Sequence, residues 1–349
     1  MAILRQLADP VGYRPCAWDL KVDAAARTYW VELFRWHLDQ VLLPLVAGVY
    51  SPAPAQVDAL RTDYLARFDE VERHPERFER LDVLRFTELR RDVLAQYGFD
   101  DPFHDVKQRA NAAALAVWPQ LRAELDAAPP PRHRDLLARG LMAGNLFDLG
   151  SRATMASEAE ANAEFLRTRD RQPPRPWFRD DVDRWWQRWD DRPYRHAVCF
   201  VDNAGGDIVL GCLPLARWML AHEVRVTLAA NTGPALNDIT ATELTPLLAR
   251  CAATDPCLTA ALRDGRLRVA ATGGTTPLLD LTDLNAHFVA LIADADLIHL
   301  HGMGRGIESN FHVPFTCDTL TTAVLKDEAV ATHLGGGVFD CVFRFESAR

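Results

Sequence analysis

The sequence predicts an α/β protein: a helical N-terminal portion packed on a doubly wound, mostly parallel, Rossmann-like sheet. Three observations carry the prediction. Up to about residue 175 the apolar residues recur at helical spacing. Beyond it, short β-branched apolar runs alternate with helical segments. The chain has 349 residues, room for about two domains at roughly 150 residues each. The division falls at 1–175, mainly α-helical, and 176–349, α/β and carrying the site.

The elements follow in order. Residues 28–46 set Trp30, Leu33, Phe34, Leu38, Val41 and Leu42 on one helical face. The stretches 57–68, 84–97, 106–128 and 133–142 repeat that pattern, and Pro129-Pro130-Pro131 interrupts it. Ser157 with Glu160 three residues on marks a capping box for a helix reaching 169. RQPPR (171–175) reads as a linker, and 177–189, rich in Trp and Asp, as a helix on the core. Strands are expected at 197–201, 224–229, 267–271, 297–300 and 338–343, with helices at 208–221, 240–252 and 284–293. Strands this continuously apolar are covered on both faces, which is the mark of a parallel sheet.

Net charge is −9, and no Lys/Arg run exceeds two residues, so no basic patch invites nucleic acid. The seven cysteines lie at 16, 199, 212, 251, 257, 317 and 341 without CxxC spacing. They read as reduced thiols of a cytoplasmic protein, not a disulfide framework. The first residues, MAILRQLADPVGYRP, lack the apolar core of a signal peptide, and no run of about 18 apolar residues spans a membrane.

In a doubly wound sheet, ligands bind beyond the carboxyl ends of the strands, so the residues there are the ones to read. After the first strand, Asp202 and Asn203 offer hard oxygen ligands, and Gly205 and Gly206 let backbone N–H groups approach an anion before Asp207. After the second, Asn231 ends the strand, and Asp238 is either a helix N-cap or a third oxygen ligand. After the fourth, glycines surround Arg305 in a phosphate-binding pattern, and His299 and His301 are either a metal pair or ordinary core and edge histidines. Lys326, one of few lysines, is a phosphate contact or a solvated residue. Together these groups suggest a divalent cation and a phosphorylated ligand.

VDNAGGD (201–207), ANTGPALND (230–238) and HGMGR (301–305) resemble the DUF89 family of metal-dependent damage-control phosphatases, in the branch that includes the C-terminal phosphatase domain of pantothenate kinase 4. GFDDPF (98–103) with Lys107 and Asn111, AGNLFDLG (143–150), Asn310, Phe315, Cys317-Asp318 and Leu334-Gly335-Gly336 extend the likeness in the family's order. The resemblance implies that Asp202, Asn203 and Asp238 hold a divalent ion (Mn, Mg, Co or Ni), with the site between the helical and α/β portions. It implies that Asn145 and Asp148 face that site, though Asn145 also suits a buried hydrogen-bonding role. Asp202, Asp238, Arg305 and Lys326 would then be catalytic, and Gly205, Asp207, Asn145, Asp148, Asn231 and His301 substrate-binding. The substrates implied are small phosphorylated metabolites, phosphopantetheine-type compounds or sugar phosphates. Two departures stand out: His301 where the branch has Glu, and Ala110 where an acidic residue is expected. His301 at that place leans the metal preference towards later transition metals, or only packs. The alternatives are a Rossmann-type transferase, such as a methyltransferase with a nucleoside-bearing cofactor at the 202–207 turn, and a weakly active phosphometabolite-binding module.

Overall fold

The structure is a computed structural model that describes residues 2–146 and 165–348. Its sheet has seven strands: β1 (Arg179–Asp180), β2 (His196–Phe200), β3 (Arg225–Ala230), β4 (Leu267–Ala271), β5 (Leu297–His301), β6 (Asp318–Val324) and β7 (Cys341–Glu346). Their order is β1-β7-β6-β5-β2-β3-β4. Every neighbouring pair is parallel except β6 with β7. The order reverses between β2 and β5: from β2 the chain winds outward through β3 to β4, and from β5 the other way to β6 and β7. Such a switch point opens a crevice at the carboxyl edge, because the two connections leave in opposite directions.

The helical portion begins with α1 (Ala24–His37), which continues through a π turn (Leu38–Leu42) into α2 (Leu43–Tyr50), where the sequence predicts one helix over 28–46. α3 (Pro54–Arg73) and α4 (Val83–Gln96) close on α1 around Phe34, Phe68 and Phe86, whose ring centroids lie 5.2–5.5 Å apart. α5 (His104–Ala127) and α6 (Pro130–Asn145) pack in the same core as α7 (Val182–Asp191) and one face of the sheet. On the sheet side follow α8 (Leu213–Ala221), α9 (Ala241–Ala252), α10 (Pro256–Arg263), α11 (Ala286–Leu291) and α12 (Glu328–His333). The N-terminal segment crosses to the C-terminal half: Ala2 bridges Leu284, and Leu7 bridges Phe315.

Several expectations change. β6 was not expected as a strand; Thr319, Thr321 and Thr322 break its apolar run, yet the whole strand is buried. The last strand starts at Cys341, not 338, because residues 334–340 turn through Gly335 with φ +77°. The helix expected at 177 starts at Val182, after the short β1 has paired with β7. Ser157 and Glu160, like Asp148, lie outside the described residues. All seven cysteines are free thiols. No described helix is long and apolar enough to cross a membrane.

Candidate active site

The switch point gathers three segments. β2 runs off the edge into Asp202 and Asn203. The segment after β3 returns beside it: Asn203 and Asp238 form an antiparallel bridge, Ala204 N donates to Asn237 O (2.9 Å) and Ile239 N to Asp202 O (3.0 Å). After β5, a π turn (Met303–Glu308) carries Arg305 into the same space. Wide turns of this kind insert a residue and recur at functional sites. Gly302 has φ +95°, and a Cβ there would lie 2.2 Å from the Asp202 carboxylate, so only glycine leaves that carboxylate its place.

Asp238 is not the cap of α9. Thr240 is, in a reciprocal box: Glu243 N donates to Thr240 Oγ1 (3.2 Å), and Thr240 N to Glu243 Oε2 (2.9 Å). The Asp238 carboxylate is thereby left for the site, where Asn231 Nδ2 donates to its Oδ2 (3.1 Å). Arg305 spans the two acids, with Nη1 on Asp202 Oδ1 and Nη2 on Asp238 Oδ2 (2.8 Å). Burial alone would lower the Arg305 pKa, but the charges of Asp238 and Asp202 outweigh it and raise the value. All three side chains are buried. Two acids that one guanidinium bridges converge closely enough to share a cation.

The Asn203 amide has a fixed sense. Its Nδ2 donates to Asp202 Oδ2 (3.0 Å) and Asp207 Oδ2 (3.3 Å), which makes Oδ1 the acceptor end of the amide on the side away from these carboxylates. Asp202, Asn203 and Asp238 therefore form an all-oxygen donor set of the type hard divalent ions take, and the residues fit such an ion.

The helical portion completes the site. Asn145, at the end of α6, donates from Nδ2 to Asp202 Oδ2 (3.1 Å) and Asp207 Oδ2 (3.4 Å), accepts from Val324 N (3.1 Å), and lends its carbonyl to Lys326 Nζ (2.9 Å). From α5, one turn apart, Asn111 accepts from Gly205 N (2.8 Å) and Lys107 pairs with Glu243 (2.8 Å) and Asp101 (3.0 Å). One helix face thus holds the turn after Asn203 and the first turn of α9, just beyond the segment that carries Asp238. The open side is a cleft with Asp202, Asn203 and Asp238 on one wall, and Trp30, Phe34 and Arg90 of α1 and α4 on the other. The Arg90 guanidinium lies 4.9 Å from the centroid of the Phe34 ring.

Other expected residues lie behind this wall. The Gly205 N–H is committed to Asn111, not to an anion. Asn231 divides its amide between Asp238 and Thr276 O (3.0 Å). Lys326 is buried against Asn145, not solvated. His301 is wholly buried, with Nε2 on Asp207 Oδ1 (2.7 Å) and Nδ1 on Thr322 Oγ1 (2.7 Å), and the same hydroxyl meets His299 Nε2 (2.7 Å). Burial pushes the Asp207 carboxyl up, but its pairing with His301, the Asn203 N–H and the charge of Lys326 hold it below the ordinary range. Asp148 lies outside the described residues. The α1–α4 wall carries no signal in the sequence, because Trp30 and Phe34 follow the same helical period as core residues, and Thr322 carries none either.

Two groups of acidic, histidine or cysteine side chains among the described residues bring their ligand atoms within 4.8 Å of one another: Asp207, Cys212 and His301, and Asp101, His104 and Glu243. In the first, His301 and Asp207 are already bonded to each other. In the second, Lys107 pairs with Asp101 and Glu243, as Arg305 does with Asp202 and Asp238.

Residues 51–342 match the model of the damage-control phosphatase ARMT1-like domain. The chain belongs to this family. It is therefore a phosphatase by family, and the transferase alternative falls. Among curated relatives it is 35% identical to damage-control phosphatase At2g17340 of Arabidopsis thaliana, covering 92% of this chain and 88% of that one. It is 31% identical to the mouse (Mus musculus) 4'-phosphopantetheine phosphatase, covering 97% of this chain but 48% of the relative, so it spans about half that protein. A solved DUF89 family protein from Pyrococcus horikoshii shares the fold, with TM-score 0.66 at 15% identity over 91% of this chain and 98% of that one.

Proposed function

We propose that this family member is a divalent-metal-dependent phosphatase acting on small phosphomonoesters. The observation that carries the reading is the convergence of Asp202 and Asp238 from two adjacent strand ends onto one cation, Arg305, beside the outward oxygen of Asn203. Asp202, Asn203 and Asp238 would hold the ion, drawn from Mn, Mg, Co or Ni. When bound, it supplies positive charge to a phosphate oxygen as the ester bond breaks.

The chain's own residues supply the rest. Arg305, whose charge its two aspartates maintain, would lend that charge to the phosphate beside the ion. Lys326 adds a second buried positive charge near Asp207. Asn145 and Asn231 orient the two acids. The aromatic wall of Trp30 and Phe34, with Arg90, faces the leaving group. The relatives suggest phosphopantetheine-type compounds or sugar phosphates as substrates. The free cysteines suit a cytoplasmic setting. On this reading the division near residue 175 separates labour: 176–349 carries the ion's ligands, and 1–175 braces them and shapes the cleft.

The test is phosphate release from a panel that includes 4'-phosphopantetheine and several sugar phosphates, with each of Mg, Mn, Co and Ni and with EDTA. Turnover restored by one of these ions and abolished by EDTA is expected. Equal turnover in EDTA would remove the metal from the reaction.

A further inference from the structure

Behind the proposed metal ligands runs a buried polar chain that the chemistry above does not use. It begins at His299 on β5, whose Nδ1 finds no partner among the described residues. Burial holds this imidazole well below its usual pKa, in the neutral form. Its Nε2 lies 2.7 Å from Thr322 Oγ1 on β6. The same hydroxyl lies 2.7 Å from His301 Nδ1, and His301 Nε2 lies 2.7 Å from Asp207 Oδ1. Asp207 Oδ2 then accepts from the Asn203 backbone N–H (3.0 Å) and from its side-chain amide (3.3 Å). The three contacts make one unbroken chain from His299 through Thr322 and His301 to Asp207.

We propose that Thr322 is a positioning residue for the metal site. Its hydroxyl fixes the His301 ring at the nitrogen away from Asp207, so that the imidazole is held at both ends and cannot pivot. A fixed imidazole holds Asp207, and Asp207 holds the Asn203 amide with its nitrogen inward and Oδ1 towards the cleft. The residue that departs from the family's pattern, His301, thus acts through Asn203 and does not touch substrate. Partners behind a ligand typically govern metal affinity by 10–100-fold. The inference rests on Asn203 being a metal ligand.

The same sheet supplies a control. His196 on β2 is held by Thr227 Oγ1 (2.9 Å) and Asp294 Oδ1 (2.8 Å), an equivalent arrangement that touches none of the proposed ligands. Full-length wild type, Thr322→Val, Thr322→Ser and Thr227→Val are titrated with Mn²⁺ alone by calorimetry, and each is melted in EDTA. Thr322→Val should weaken the Mn²⁺ Kd by about 10-fold or more. Thr322→Ser should restore it, and Thr227→Val should leave it within twofold although its melting temperature also falls. If Thr322→Val does not fold, Thr322→Ala removes the hydroxyl without adding bulk and carries the same expectation. Unchanged affinity in the Thr322 variants, or an equal loss in Thr227→Val, overturns the positioning role. If wild type itself binds no Mn²⁺, the metal reading fails and takes this inference with it.

Discussion

His196 and His301 sit on adjacent parallel strands in nearly the same bonding arrangement, each imidazole held between a carboxylate and a threonine hydroxyl. They differ in which edge of the sheet they occupy. His196 opens β2 at the amino edge, and its partner Asp294 is largely exposed and shared with Arg225. His301 closes β5 at the carboxyl edge, and its partner Asp207 is buried and bonded to Asn203. At the amino edge the arrangement ties a loop to a strand. At the carboxyl edge the same three residue types stand behind two acids and an arginine at a switch point. A constellation of side chains is therefore not enough to identify a site; its place relative to the strand ends decides what it can act on.

The largest effect expected from the carboxyl edge is loss of turnover in Asp202→Asn and Asp238→Asn, by at least about 100-fold at saturating Mn²⁺. Both side chains are buried against Arg305, so asparagine is the better probe than alanine, which would strand the guanidinium. Phosphate release at graded Mn²⁺ checks this, and full turnover in either variant would sink the assignment. Next, Arg305→Ala and Lys326→Ala should each lower kcat/KM by about 1.5–3 kcal/mol, roughly 10–100-fold. A silent Lys326→Ala would confine that lysine to bracing Asn145.

Comparing His301→Leu with His196→Leu sharpens the contrast. Each should lose about 1–3 kcal/mol in urea unfolding, as expected when buried partners are left unpaired, and only His301→Leu should also lose Mn²⁺ affinity. The smallest effect belongs to Asp294. Burial pushes its carboxyl up, but His196 and Arg225 outweigh this and hold it at about 2. The folded value lies below the unfolded one near 3.9, so the stability it adds is complete above that pH and disappears as pH falls towards 2. The pair is surface-exposed, so the gap between wild type and Asp294→Asn should stay under about 1 kcal/mol at pH 5, shrink as pH falls from 4, and close only below about pH 2.

The same contrast shows how much the sequence discloses. Asp202, Asn203 and Arg305 sit within a few residues of apolar strands, so the strand-end rule finds them from local spacing. Asp238 is harder, because an aspartate two residues before a capping threonine looks like a cap itself. Thr322 was not legible: three threonines hide the apolar period of β6, and only the fold reveals that the strand is buried. His301 was seen at a strand end, but its side chain turns towards β6 and Asp207 instead of into the cleft. The grip of Asn111 and Lys107 spans loops that no local pattern connects. The helical portion was legible as helices, while the π turn that divides its first helix was not, since a π turn keeps the apolar character of its neighbours.

That grip has a consequence in time. Asn111 meets Gly205 across 94 residues, Asn145 meets Asp202 across 57, and Lys326 meets Asn145 across 181. Contacts so distant along the chain form slowly, after the local helices, because the intervening segments must be confined before the contacts repay it. Synthesis delivers α1 to α6 well before Arg305 and Lys326 exist to meet them. The site is thus among the last parts of the molecule to be assembled, and in a refolding experiment the recovery of Mn²⁺ binding should lag behind the recovery of helical circular dichroism.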